Sequence, residues 1–198
     1  MRDTQNIQQL AKLNPDYMGF IFYEKSPRYA ASVDKRVLAS LPASIKKVGV
    51  FVSESVEVMR ATAQAYGLDG LQLHGGETPL QCLQLREEDY ILLKAFSIAE
   101  LADFELLEEY EGCCDYFLFD TKTSGHGGSG EKFDWSLLDH YKGDTPFFLS
   151  GGIDLDDVDA IKNITHPQLA GVDVNSRFEL ELGLKDIDKL RKFLKKIR

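Results

Sequence analysis

Two stretches near the C-terminus decide the fold: Phe147-Phe148-Leu149-Ser150-Gly151-Gly152-Ile153 and Gly171-Val172-Asp173-Val174-Asn175-Ser176. Each is a short apolar run closed by small residues. The run reads as a buried strand bounded by turn formers. The tail that follows is backbone whose N–H groups no bulky side chain shields. Two such units in succession match the way phosphate is held at the C-terminal face of barrel enzymes, where loops after the last two strands and a short helix supply the donors. Neither loop has the spacing of a Walker motif or a dinucleotide fingerprint. Residues 177–182, directly after the second loop, read as a short helix.

Working outward from these loops, the same unit repeats. Strands are expected at residues 17–22, 47–52, 70–73, 90–95, 116–120, 147–150 and 171–174. Helical patterns lie at 33–41, 55–66, 78–86, 98–110, 135–141, 155–163 and 185–197. A helix also opens the chain: Asp3 or Thr4 caps it, Ile7, Leu10 and Ala11 form its apolar stripe, and Asn14-Pro15 ends it. Short apolar strands alternating with helices imply parallel strands covered on both faces. In the closing helix Leu190, Phe193, Leu194 and Ile197 follow helical spacing and face a core, while its lysines suit the negative end of the dipole. No linker divides the chain, so residues 1–198 read as a single domain. An open doubly wound sheet can begin with a helix. A (β/α)8 barrel begins with a strand, and fits only if its first strand is missing.

Bulk properties narrow the function. The 198 residues carry 23 basic and 32 acidic side chains, a net charge of −9 that repels nucleic acid. A small anionic ligand can still be held by a few local donors. Cys82, Cys113 and Cys114 have neither CxxC nor metal-ligand spacing, so a disulfide framework and a zinc site are both unexpected. No apolar run approaches the roughly 18 residues of a membrane span, and no signal peptide is read. A soluble, cytoplasmic protein with no membrane partner is expected.

Asp120 ends the apolar run Tyr116-Phe117-Leu118-Phe119, which puts a carboxylate at the C-terminal end of a parallel strand, where barrel enzymes keep catalytic groups. The loop Ser124-Gly125-His126-Gly127-Gly128-Ser129-Gly130 follows and can close over a ligand. Gln72 and His74, at the end of another strand, share one face under period-two alternation.

Taken together the chain resembles the phosphoribosylanthranilate isomerases of tryptophan biosynthesis. The resemblance rests on Asp16-Tyr17-Met18-Gly19-Phe20-Ile21-Phe22 with Ser26-Pro27-Arg28-Tyr29, Val48-Gly49-Val50-Phe51-Val52, Gln72-Leu73-His74-Gly75, Phe119-Asp120-Thr121 with Gly127-Gly128-Ser129-Gly130 and Phe133-Asp134-Trp135, Ser150-Gly151-Gly152-Ile153, and the segment from Gly171 to Ser176, all in family order. It implies a TIM barrel of the phosphosugar-binding kind and an Amadori rearrangement of a small phosphosugar without cofactor or metal. It also implies residue roles. Asp120 is the general acid, Arg28 contacts the anthranilate part, and His74 and Asp173 line the site. Gly151, Gly152, Asn175 and Ser176 hold phosphate.

Two departures accompany the resemblance. The family opens with a strand ending in Cys-Gly whose cysteine is the general base, and Met1-Arg2-Asp3 aligns just after it. The expectation is therefore a barrel lacking its first strand, with edges exposed on the strands at 17–22 and 171–174, available for homo-oligomer contacts, and with impaired turnover. The second departure is Arg177, where the family has glycine. Competing readings are another phosphosugar barrel enzyme and a catalytically dead phosphosugar-binding barrel.

Overall fold

Parallel neighbours cannot be joined by tight turns, so each pair needs a crossover of a dozen or more residues. The apolar runs are spaced to provide one. In the computed structural model, which describes residues 1–30, 32–121 and 132–198, β1 (Tyr17–Ile21), β2 (Lys46–Phe51), β3 (Gly70–Leu73), β4 (Ile91–Ile98), β5 (Tyr116–Thr121), β6 (Phe147–Leu149) and β7 (Leu169–Val172) form one sheet. Every neighbouring pair is parallel and the order is that of the chain. A doubly wound sheet reverses its strand order at a switch point. None occurs here, and that excludes the open-sheet alternative.

The sheet is curled. Tyr17 of β1 meets Phe148 of β6 edge-to-face at 5.5 Å, and Phe148 meets Tyr116 of β5 at 5.1 Å. Laid flat, five strand spacings would hold β1 and β6 roughly 24 Å apart. The architecture is thus α/β and TIM-barrel-like. Among the described residues no ladder joins β1 to β7, and these are the sheet's edges. Their exposure agrees: Gly19 and Ala170 are open to solvent, whereas all of β3 is buried.

Outside the sheet lie α1 (Thr4–Ala11), α2 (Lys35–Ala39), α3 (Val56–Tyr66), α4 (Pro79–Arg86), α5 (Val158–Lys162) and α6 (Ile187–Ile197). Phe20, Phe51, Phe117, Phe119 and Phe147 are fully buried, each contributing roughly 1.5–3 kcal/mol of apolar burial. Side chains set the helix starts. Asp3 accepts from Asn6 N at 2.7 Å, and Thr78 and Gln81 form a reciprocal box around Pro79. Asp186 accepts from Lys189 N at 2.9 Å, and such caps are worth about 1 kcal/mol each. No helix of the described residues is long and apolar enough to cross a membrane.

Three expectations need correction. Residues 98–110 and 135–141 form 3₁₀ segments, Leu101–Tyr110 and Trp135–His140, rather than α-helices; each buries one side chain fully, Leu107 and Leu138, too narrow a stripe to favour α geometry. Residues 177–182 do not form a helix. After a 3₁₀ turn at Ser176–Phe178 the chain makes an antiparallel hairpin, β8 (Glu179–Glu181) with β9 (Leu184–Lys185), turning through Gly183 at φ +84°. The last strand lies two residues earlier than expected, at 169–172. The Gly-rich stretch 124–130 lies outside the described residues.

Candidate active site

Because all seven strands run the same way, the loops after them gather at one end of the sheet. Arg28 follows β1, His74 follows β3, Asp120 lies at the end of β5, Gly151 and Gly152 follow β6, and Asp173 to Ser176 follow β7. The candidate residues that the sequence singled out are therefore brought together.

Asp120 is gripped at both oxygens. Thr121 N donates to Oδ1 at 2.9 Å, and His74 Nε2 lies 3.3 Å from Oδ2. Gln72 fixes the imidazole: its Nε2 lies 3.0 Å from His74 Nδ1. An amide donor at Nδ1 leaves the ring proton on Nε2, aimed at Asp120. The carboxyl is buried and its orientation is set before any ligand arrives. Gly151 allows the loop after β6 to press against this group. At φ +89°, a Cβ there would stand 2.2 Å from Thr121 Oγ1 and 2.8 Å from Asp120 Oδ1. Only glycine fits.

Asp173 is half-buried near Asp120 and accepts from Ser150 Oγ at 3.2 Å. Burial first, and the Asp120 charge second, raise its pKa. Asn175 uses its side chain inside the protein, since Lys185 Nζ donates to its Oδ1 at 2.6 Å and to its backbone O at 3.0 Å. What Asn175 offers a ligand is its backbone. The N–H groups of Gly151, Gly152, Asn175 and Ser176 donate to no group among the described residues. Four such donors lie on two successive loops, beside two glycines at positive φ, an arrangement of the kind that can bind an anion.

Arg28 pairs with Glu179 on β8. Its Nε lies 3.0 and 2.9 Å from the two carboxylate oxygens and its Nη2 2.7 Å from Oε2, with both side chains largely buried. Burial alone would raise the Glu179 pKa, but the Arg28 hydrogen bond and the Lys185 charge outweigh it and lower it.

A family model, N-(5'-phosphoribosyl)anthranilate (PRA) isomerase, matches residues 1–196. The chain belongs to this family. It is an isomerase of tryptophan biosynthesis. It is 52% identical to the N-(5'-phosphoribosyl)anthranilate isomerase of Parabacteroides distasonis, over 100% of this chain and 90% of the relative. It is 42% identical to the same enzyme of Phocaeicola vulgatus, over 100% and 95%. Among solved structures, the phosphoribosylanthranilate isomerase of Thermotoga maritima superposes with a TM-score of 0.86 at 32% identity, covering 100% of this chain and 95% of that one. A phosphoribosylanthranilate isomerase solved with reduced 1-(o-carboxyphenylamino)-1-deoxyribulose 5-phosphate superposes with a TM-score of 0.82 at 29% identity, over 100% and 94%.

In this isomerase the three cysteines stand away from the gathered loops. Cys82 is buried in α4, and Cys113 and Cys114 are buried just before β5, at the opposite end of that strand from Asp120. Burial pushes the Cys82 thiol up to about 12 and raises Cys114 as well. Thiols so shifted are inert at neutral pH.

The sequence did not disclose several residues. Glu179 and Lys185 reach the site only through the β8–β9 hairpin, and no periodicity announced that hairpin. Lys94 did leave a signal, a lysine in the apolar run Ile91-Leu92-Leu93-Lys94-Ala95. Its Nζ donates to Gly75 O at 2.8 Å and meets Glu77 Oε2 at 3.2 Å. Glu77 in turn accepts from Ser53 N at 2.7 Å and Gly75 N at 2.9 Å. This buried pair ties β4 to the chain after β2 and β3, and so anchors the segment that carries His74.

Proposed function

We propose that the chain, one domain over residues 1–198, converts N-(5'-phosphoribosyl)anthranilate to 1-(2-carboxyphenylamino)-1-deoxyribulose 5-phosphate in the cytoplasm. The observation that carries this reading is the pairing of a pre-oriented acid, Asp120 between His74 and Thr121 N, with four backbone donors, unpartnered among the described residues, on the loops after β6 and β7. The donors of Gly151, Gly152, Asn175 and Ser176 hold phosphate, and Arg28 holds the anthranilate carboxylate. Asp120 gives its proton to the furanose ring oxygen. The ring C–O bond breaks, the anilino nitrogen lone pair forms the C=N bond, and a Schiff base results. Loss of the proton from sugar C2 then gives the enolamine, which tautomerises to the ketone. His74 holds the Asp120 carboxylate once its proton has gone. Asp173 lines the floor beside Asp120.

We infer further that the seven described strands belong to a phosphosugar-binding (β/α)8 barrel. The open β1 and β7 edges support this, and offer a contact for a second copy. The base that takes the C2 proton is, by family resemblance, a thiol on the strand that precedes β1 in such a barrel. Cys82, Cys113 and Cys114 all stand away from Asp120, and the second reading is a phosphosugar-binding barrel without catalysis.

An isomerase assay of the 198-residue chain, alone and with an N-terminal strand ending Cys-Gly, separates the cases. The expected result is a gain of about 10²–10⁴-fold with the extension, the usual worth of a general base. Equal, robust turnover by both forms contradicts the base assignment. Tight binding of the reduced product with no turnover by either form supports the binding barrel. No binding by either form removes the proposal altogether.

A further inference from the structure

Arginine offers a carboxylate two planar forks: the side-on pair Nε and Nη2, and the end-on pair Nη1 and Nη2. In Arg28 the side-on fork is taken by Glu179 at 2.7–3.0 Å. Nη1 donates to nothing among the described residues. Glu179 is itself held. Gly183 N donates to its Oε1 at 3.2 Å, and Lys185 Nζ stands 3.4 Å from the same oxygen. Lys185 is fixed in turn by Asn6, which accepts from its N and donates to its O, both at 2.8 Å, and by Asn175. The orientation of one guanidinium is therefore rooted in α1, the β8–β9 hairpin and the loop after β7.

We infer that Glu179 is a positioning residue: it locks the side-on fork of Arg28 so that the end-on fork selects ligands bearing a carboxylate on their aromatic end. The inference rests on the proposed role of Arg28 and deepens it. An unheld arginine loses rotamer freedom when it binds, whereas a pinned one has lost it already. The selectivity belongs to the pair rather than to Arg28 alone. Glu179 meets the loop after β7 only through Lys185, so any effect carried that way is common to every ligand bearing the phosphate, and the effect through Arg28 is confined to the aromatic end.

The test is calorimetric titration with two probes, reduced 1-(o-carboxyphenylamino)-1-deoxyribulose 5-phosphate and its phenylamino counterpart without the carboxylate. The wild-type chain is expected to prefer the carboxylated probe by about 10- to 100-fold, the scale of a charge-assisted pair. In Glu179→Gln that preference falls about tenfold, the loss of affinity for the carboxylated probe exceeding any change for the phenylamino probe by that factor. Glu179→Asp, which keeps the charge and draws it back by one methylene, gives an intermediate preference and serves as the reading if the glutamine variant does not hold its fold. An unchanged or increased preference in both variants overturns the inference, as does an equal loss of affinity for the two probes. Arg28→Ala distinguishes the underlying reading. If the wild type shows a preference that Arg28→Ala leaves intact, Arg28 is not the carboxylate contact; if Arg28→Ala abolishes it but the Glu179 variants do not, only the positioning role fails.

Discussion

Asp120→Asn lowers isomerase turnover about 10²–10⁴-fold and changes affinity for the reduced product by no more than about threefold. Asparagine keeps one side-chain oxygen, which can still accept from Thr121 N and hold the loop; the contact given up is that with His74 Nε2, now 3.3 Å from Asp120 Oδ2. Asparagine cannot give a proton to the ring oxygen. An interaction needed only in the transition state appears in kcat, not in ligand affinity. Steady-state kinetics with parallel titration checks this, using whichever form, extended or not, turns over faster. A variant with wild-type kcat would remove Asp120 from the acid's role.

The largest expected effect on stability lies at the buried pair behind His74. Lys94 and Glu77 are 2% and 1% exposed. Lys94→Met keeps a similar apolar stem but leaves the Glu77 carboxylate buried without its cation. Removing one partner of a buried pair costs roughly 3–5 kcal/mol, a large share of a typical domain stability of about 5–15 kcal/mol. For a chain of this size each kcal/mol moves Tm by roughly 2–4 °C, so the midpoint falls by about 6–20 °C. Adding Glu77→Gln to Lys94→Met restores part of the loss, since it removes the buried charge and its one amide oxygen can still accept from either Ser53 N or Gly75 N. Thermal unfolding of both variants checks the effect. A shift below about 2 °C in the single variant would mean that Glu77 is compensated by something other than Lys94.

Much of this was legible before the coordinates. Short apolar runs ending at Phe22, Leu73, Asp120, Leu149 and Val174 carry the strand positions because strands buried on both faces cannot hide among polar residues. Asp120 was conspicuous as a charge closing such a run, and Gly151-Gly152 as backbone free to adopt positive φ. The hairpin was not legible. Residues 179–185 alternate Glu, Leu, Glu, Leu in a way that suits a helix or a strand, and only Gly183 and the partners Arg28 and Asn6, some 150–180 residues away, choose between them. Glu179 and Lys185 were missed for the same reason. The two 3₁₀ segments escaped because helical propensity does not distinguish 3₁₀ from α where tertiary packing is thin. Asn175 illustrates a finer limit. Its place in the loop after β7 was readable, but the engagement of its side chain by Lys185 was not.

The central claim is that the strand ends form one site, with phosphate at the loops after β6 and β7 and the aromatic end at Arg28. The most direct measurement is a crystal structure of the chain with reduced 1-(o-carboxyphenylamino)-1-deoxyribulose 5-phosphate. The expected result puts phosphate oxygens about 3 Å from the backbone nitrogens of Gly151, Gly152, Asn175 and Ser176, with the sugar beside Asp120 and the carboxylate on the end-on fork of Arg28. Ligand seated at the opposite end of the strands, or phosphate away from those four nitrogens, would contradict it.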